Sequence, residues 1–129
     1  MLLSGTNATV NFHLNDYMTE AELVAAVRNI PYGDGLTNTT GALRLMRSEI
    51  FNLANGDRAD VENVAILITD GEPTIELGGL QEEVSRVKNS GTRVIGIGVT
   101  SLVSEMFLII FIYRKISVAN INIKKTTET

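Results

Sequence analysis

The chain has 129 residues, of which 44% are hydrophobic and 20% are charged, and its formal net charge is −4. One domain of this length can bury a substantial core. The acidic balance, without any basic stripe, argues against nucleic-acid binding. The chain contains no cysteine, which excludes disulfides, metal–thiolate sites and cysteine nucleophiles.

The ends of the chain bear on targeting and on membranes. The apolar stretch in residues 1–10 is too short for a signal peptide and lacks a basic leader, so we expect no signal peptide in this chain. Met106–Tyr113 is a run of eight apolar residues, whereas a bilayer span needs roughly 20. We therefore expect a strand-like apolar segment here and no membrane span.

The first elements in chain order are a strand and a helix. Thr9–Asn15 alternates between apolar and polar side chains, which is typical of a half-buried strand. Thr19 and Glu22 have the spacing of a capping box at the start of a helix, and Met18 and Leu23 are placed to pack as a hydrophobic staple. The helix is expected to end before the next proline.

Two further helices are predicted from apolar residues that recur every three or four positions. In the first helix these residues are Leu43, Met46, Ile50 and Leu53, and in the second they are Leu80, Val84 and Val87. Gly91 follows the second pattern as a natural left-handed residue at a helix end.

Val64–Thr69 and Arg93–Val99 are near-continuous apolar runs, and we expect both to be fully buried strands. Because a helical pattern lies between them, they form a strand–helix–strand unit. Such a unit implies a parallel sheet covered on both faces. The predicted fold class is therefore α/β.

Asp70 ends the first of these strands, and open parallel sheets bind ligands outside the carboxyl ends of their strands. A carboxylate beside a buried strand is costly to desolvate unless something compensates its charge. Asp70 either caps the turn of residues 70–73 (DGEP) or faces a cation at this edge. These residues alone leave both interpretations open.

A second loop, GDGLTNTTGAL, places the hydroxyls of Thr37, Thr39 and Thr40 just before a helix, and we expect one of them to cap it. Hydroxyl and carboxylate oxygens are hard ligands that suit Mg²⁺, Mn²⁺ or Ca²⁺. The loop lacks the G-x-x-x-x-G-K-[ST] pattern, and Asp70 would repel a phosphate, which argues against nucleotide binding.

No nucleophile–base pair and no carboxylate pair can be identified by spacing along the chain. We therefore expect no enzyme and assign no catalytic residue and no cofactor-binding residue.

Three segments of the chain together resemble a von Willebrand factor type A domain: VNFHLNDYMTEAELVAAVRNIPYGDGLTNTTGALRLMRSEIF, VAILITDGEP and VKNSGTRVIGIGVT. Within that family the chain resembles the matrilin and collagen-associated members and, more distantly, the inserted domain of integrins. The resemblance implies a doubly wound, Rossmann-like α/β fold with a metal-ion-dependent adhesion site at the top of its sheet. The threonine of that site corresponds to Thr37 and its aspartate to Asp70, and in the family a ligand carboxylate completes the coordination of the cation.

The resemblance also implies that the domain is truncated at both ends. The family's D-x-S-x-S motif, which supplies three metal-coordinating side chains, does not occur in the chain, and the first strand, first helix and most of the second strand would precede Met1. Thr9–Leu14 and Val64–Thr69 would then lose strand partners and expose their edges. We expect residues 1–100 to be a partial domain and residues 101–129 to be foreign to the family.

The function implied by the resemblance is that of a protein-binding module in cell adhesion or the extracellular matrix, from a secreted parent protein. Its partners would be matrix proteins or collagens, and the complete domain would use Mg²⁺, Mn²⁺ or Ca²⁺. With two ligands where about six are needed, we expect this chain to bind cations weakly or not at all. The alternative is a metal-free structural or interaction fragment with no independent ligand binding.

Two N-x-[ST] sequons occur, at Asn7 and Asn38. Asn7 lies in a turn-like segment that suits glycosylation in a secreted parent. Asn38 lies inside the proposed metal loop, where a glycan would block ligand access, so we expect it to be unmodified.

Overall fold

The structure is a computed structural model, and it describes residues 2–4, 7–31, 36–70 and 72–99. Its regular elements in chain order are β1 (Leu2–Ser4), β2 (Ala8–Val10), α1 (Glu20–Arg28), α2 (Thr39–Leu45), β3 (Val64–Thr69), α3 (Leu77–Asn89) and β4 (Arg93–Gly98). A π-helical segment, Met46–Ile50, continues α2, and a short 3₁₀ turn spans Leu53–Asn55.

β1 and β2 form an antiparallel hairpin in which Ser4 lies opposite Ala8 and Leu2 opposite Val10. The expectation that the strand at Thr9 has lost its partner is therefore wrong. The strand is also shorter than the predicted Thr9–Asn15, since β2 spans Ala8–Val10. α2 packs against both strands of this hairpin.

β3 and β4 form a parallel pair with α3 between them in sequence, as the strand–helix–strand pattern predicts. The register runs from Val64 opposite Arg93 to Thr69 opposite Gly98. One more bond, from the Val99 N–H to the Thr69 carbonyl (2.9 Å), holds the pair together at its carboxyl end. The predicted α/β class is confirmed.

The core lies between this sheet and the helices α2 and α3. Its buried residues are Leu43, Met46, Leu80, Val84 and Val87, and Phe51, Ala65, Leu67 and Val94 pack against them. The predicted helix periodicity is confirmed here, because residues three and four positions apart share one face and that face is buried. Gly91 has the predicted left-handed backbone, with φ 81°.

The opposite face of the sheet is exposed in the described part of the chain. Val64, Ile66 and Ile68 are 47%, 61% and 65% exposed, and Ile95 and Ile97 are 45% and 44% exposed. The prediction of strands covered on both faces is therefore wrong for these residues. α2 and α3 both lie on the other face, and no described element covers this one.

The start of α1 has the predicted capping box. The Glu22 N–H donates to the Thr19 hydroxyl (3.3 Å), and the Thr19 N–H donates to a Glu22 carboxylate oxygen (3.1 Å). The expected staple is not formed, because Met18 is 85% exposed. None of the residues of α1 is buried.

The second helix departs from its predicted pattern at one end. Ile50 is buried as expected, but Leu53 is 68% exposed. The helix has already ended there: the Phe51 N–H donates to the Met46 carbonyl (2.9 Å), and the chain then turns away.

No helix of the described ranges is long and apolar enough to cross a membrane. The apolar run Met106–Tyr113 lies outside the described residues, as does the rest of the 101–129 segment.

Candidate functional site

Asp70 directly follows β3, at the carboxyl end of the parallel pair. This is the edge at which open α/β sheets bind ligands. The Asp70 side chain is exposed. The premise that Asp70 is buried is therefore wrong. Its position at this edge is what qualifies it as a ligand.

Thr37 is joined to the chain that follows Asp70. The Thr37 N–H donates to the Thr74 hydroxyl (3.0 Å). The Thr37 carbonyl accepts from the N–H groups of Thr74 (2.9 Å) and Ile75 (3.3 Å). All three bonds use only backbone groups of Thr37. The structure thus brings the loop of Thr37 onto the segment that begins four residues after Asp70.

Asn38, Arg44 and Glu76 fasten the same two loops, and we call these three residues the clasp. The Asn38 side-chain amide donates to one Glu76 carboxylate oxygen (3.0 Å), and the Arg44 guanidinium donates to the other (2.9 Å). The Thr40 hydroxyl donates to the backbone carbonyl of Glu76 (3.0 Å). The clasp therefore fixes the start of α2 against the residue that precedes α3.

The N-cap of α2 is Asn38, whose side-chain oxygen accepts the Gly41 N–H at 2.7 Å. The expectation that a threonine hydroxyl caps this helix is wrong. Thr39 and Thr40 already belong to the first turn and are 1% and 0% exposed. Only Thr37 of the three candidate hydroxyls lies outside the helix. Asn is among the best N-cap residues, so its position before TTGAL was a usable signal in the sequence.

Glu76 is held ionised by the clasp. The hydrogen bond from Asn38, followed by the bond and charge of Arg44, lowers the pKa of Glu76 below its ordinary value of 4.5. Glu76 also has a left-handed backbone, with φ 56°, which is uncommon for a residue other than glycine. Its carboxylate and its carbonyl both accept bonds from the first helical turn of α2 or its flank, and these bonds stabilise that conformation.

The side-chain oxygens of Thr37 and Asp70 suit a divalent cation in their chemistry. The Thr37 hydroxyl and the Asp70 carboxylate are hard oxygen ligands of the kind that Mg²⁺, Mn²⁺ and Ca²⁺ prefer. The described residues hold no group of three or more His, Cys, Asp or Glu side chains placed for a metal ion. The chemistry of the two residues fits such a cation, but they supply only a part of the roughly six ligands that it needs.

A parallel strand pair with helices packed on one of its faces is part of an α/β domain, and Asp70 follows the strand end at which open α/β sheets bind ligands. The family model for the von Willebrand factor type A domain matches residues 1–125. The chain belongs to this family.

Relatives of the chain are matrix and adhesion proteins. The chain is 36% identical to mouse vitrin over 91 residues, which are 70% of this chain and 13% of vitrin. It is 39% identical to collagen alpha-1(XII) of Notophthalmus viridescens over 61 residues, 47% of this chain and 7% of the collagen chain. It is 29% identical to mouse matrilin-1 over 94 residues, 73% of this chain and 18% of matrilin-1. The chain thus spans less than a fifth of each of these relatives.

A solved structure with the same fold is that of proximal thread matrix protein 1 from the mussel byssus. Its TM-score is 0.80 at 24% identity, and the match covers 86% of this chain and 29% of that chain. Another structure of the mussel protein has a zinc-occupied metal-ion-dependent adhesion site motif. At this identity the likeness establishes the fold of our chain and no more.

The predicted family and fold are thus confirmed. Two predictions stay predictions: the assignment of Thr37 and Asp70 as metal ligands, and the division of the chain into a partial domain of residues 1–100 and a foreign segment of residues 101–129. The family match extends into that second segment.

Proposed function

We propose that the chain is part of an extracellular protein-binding module in which Thr37 and Asp70 help to hold a divalent cation. A carboxylate of the partner protein completes the site. The observation that carries this proposal is the set of three hydrogen bonds that the Thr37 backbone makes with Thr74 and Ile75, one of them to the Thr74 hydroxyl. These bonds join the hydroxyl-bearing loop to the segment that begins four residues after Asp70.

The charges of the two residues suit recognition of an acidic ligand. Thr37 is neutral and Asp70 carries one negative charge, so these two ligands do not neutralise a divalent cation. The bound ion supplies the remaining attraction for a carboxylate, which is itself a hard oxygen ligand. The role of the chain is to place the two oxygens at the edge of the sheet, where a partner can reach them.

The relatives support a proposed class of partner. Vitrin, matrilin-1 and collagen chains are matrix proteins, so we propose matrix proteins or collagens as ligands and a secreted parent protein. We propose no enzymatic activity. Since the described residues supply only two ligands, we expect cation binding by this chain alone to be weak or absent.

The test is binding of the chain to fibrillar collagen in Mn²⁺ or Mg²⁺ and in EDTA. The chain is coupled to beads at high density, because multivalent display makes weak binding detectable. Thr37→Val and Asp70→Asn should each reduce binding to the level in EDTA. Asp60→Asn is the matched control: it removes the same charge from an exposed residue before β3, at the opposite end of the strand.

Binding that persists in EDTA, or that is equally reduced by Asp60→Asn, would contradict the cation-dependent mechanism. A micromolar Mn²⁺ affinity that disappears in Asp70→Asn would contradict our expectation of weak binding, while supporting the assignment of Asp70.

A second candidate function is metal-free association within a larger assembly. The exposed face of β3 and β4 favours it, because a parallel sheet is normally covered on both faces, and this face carries Ile66 and Ile68 at 61% and 65% exposure. Sedimentation velocity in EDTA distinguishes this metal-free association from cation-dependent binding. Concentration-dependent association without cations supports the metal-free function, and a monomer at all concentrations argues against it.

A further inference from the structure

We propose that Asn7 is an N-linked glycosylation site and that Asn38, the other sequon asparagine, carries no glycan in the folded protein. The proposal rests on the extracellular location given under the proposed function, but not on any metal or partner. Its evidence is the opposite environments in which the structure places the two asparagines.

Asn7 is exposed and lies immediately before β2. Ala8, the next residue, pairs with Ser4 at the end of β1, so Asn7 belongs to the connection of a hairpin. The sequon is completed by Thr9, which is also exposed. A glycan is bulky and hydrophilic and requires such a surface position, because its sugars must remain in water.

Asn38 has the contrary environment. It is 5% exposed. Its side-chain oxygen accepts the Gly41 N–H (2.7 Å), and its nitrogen donates to Glu76 (3.0 Å). A sugar on that nitrogen would need space between α2 and Glu76 that the folded chain does not have. It would also disrupt the clasp.

The chemistry requires a polyprenyl-diphosphate-linked oligosaccharide as the co-reactant. The bond between the sugar C1 and the phosphate oxygen breaks, a bond between C1 and the asparagine Nδ2 forms, Nδ2 loses a proton, and the polyprenyl diphosphate leaves. The transfer takes place on the entering chain, before folding is complete. A chain with a glycan at Asn7 can then fold, because the glycan is compatible with the hairpin. A chain with a glycan at Asn38 cannot, because the glycan prevents the start of α2 from packing.

The experiment is secretion of residues 1–129 from mammalian cells behind a secretory leader. We expect one glycan, seen as a single decrease in mass on treatment with peptide-N-glycosidase F. Treatment in ¹⁸O-water converts a glycosylated asparagine to labelled aspartate, so peptide mass spectrometry should find the label at Asn7 and not at Asn38. Asn7→Gln and Thr9→Ala should each abolish the mass shift, and Thr9→Ser should retain it.

If the chain is not secreted, its translation into microsomes gives the decisive result for Asn7, because transfer there does not require folding. A mass shift in microsomes that is smaller by one glycan in Asn7→Gln than in the wild type supports the proposal. An unmodified Asn7 in cells or in microsomes would overturn it, and so would a secreted protein labelled at Asn38. Because neither readout depends on cations or ligands, failure here is distinguishable from failure of the adhesion proposal.

Discussion

Replacement of Asn38 is predicted to loosen the two candidate ligand loops together. Asn38→Ala removes the N-cap of α2 and leaves the buried Gly41 N–H without its acceptor. Loss of an asparagine cap costs about 0.5–2 kcal/mol. Since this bond is buried, we expect the upper end of that range, a decrease of about 2 kcal/mol in the free energy of unfolding.

Asn38→Asp distinguishes the two roles of Asn38, because it keeps the N-cap of α2 but removes the hydrogen bond to Glu76. The aspartate still accepts the Gly41 N–H, and a negative charge is favourable at a helix N-terminus. It has no proton to donate to Glu76, however, and places a second carboxylate where the amide lay 3.0 Å from the first. We expect this variant to be less stable than the wild type at pH 7 through repulsion rather than through loss of the cap.

A fall in pH should change the contribution of the Glu76 site to stability in opposite directions in the wild type and in Asn38→Asp. In the wild type the folded-state pKa of Glu76 is lowered from 4.5. Its stabilising effect is therefore complete above pH 4.5 and is lost as the pH falls through the lowered value. In Asn38→Asp the same fall in pH protonates one of two facing carboxyl groups and relieves their repulsion, so the difference in stability between variant and wild type should narrow.

Two measurements check these expectations. Guanidinium denaturation followed by circular dichroism gives the stability, and hydrogen exchange of the Thr74 amide, which donates to Thr37, reports on the junction of the loops. Asn52→Ala is the control, because Asn52 caps an exposed 3₁₀ turn elsewhere and should cost about 0.5 kcal/mol or less. Equal stability losses in the Asn38→Ala and control variants, with unchanged exchange at Thr74, would refute the reasoning.

Three further predictions concern the packing and the caps. Arg47→Met should decrease the free energy of unfolding by about 2 kcal/mol. Glu83, whose side chain is 3% exposed, loses its 2.9 Å partner and keeps only Arg86 at 3.6 Å. Arg47→Met with Glu83→Leu should recover most of this loss in the same denaturation assay, and additive losses in the double variant would contradict this. Val84→Ala, at a position 2% exposed, should cost about 2 kcal/mol, and a loss below about 0.5 kcal/mol would show that the site is not core. Thr19→Ala should raise the pKa of Glu22 toward 4.5, since the hydrogen bond with the Thr19 hydroxyl is the main cause of its lowering. Titration of the Glu22 carboxyl carbon by NMR measures this pKa. In the wild type the capping box should weaken only as the pH falls below 4.5. An unchanged Glu22 titration in Thr19→Ala would argue against the capping box.

Some local patterns in the sequence predicted local structure correctly. The capping box at Thr19 and the helical spacing of Leu80, Val84 and Val87 both depend on residues within a few positions of each other, and both are confirmed. The exposure of Ile66 and Ile68 was not predictable in the same way. An apolar sequence indicates that a strand can be buried. Which face of the strand is covered depends on elements elsewhere in the chain.

The candidate site likewise depends on contacts between distant parts of the chain, which the sequence did not predict. Asp70 was singled out by its position after an apolar strand, whereas Thr37 was chosen among three hydroxyls by resemblance to a family. No spacing along the chain relates the two residues. The bonds that join their loops, from Asn38 to Glu76 and between Thr37 and Thr74, span 38 and 37 residues. Such contacts arise only when α2 and the turn before α3 pack side by side, so no local pattern could have revealed them.

The most direct test of the proposed site is paramagnetic line broadening by Mn²⁺ in NMR spectra of the isotope-labelled chain. Broadening falls steeply with distance and detects even weak binding. We predict that the amide signals of Thr37 and Asp70 broaden together at the same low Mn²⁺ concentration, that Asp70→Asn abolishes both effects, and that Asp60→Asn preserves them. Broadening at Asp70 without any at Thr37, or broadening that survives Asp70→Asn, would show that the two residues do not hold one cation.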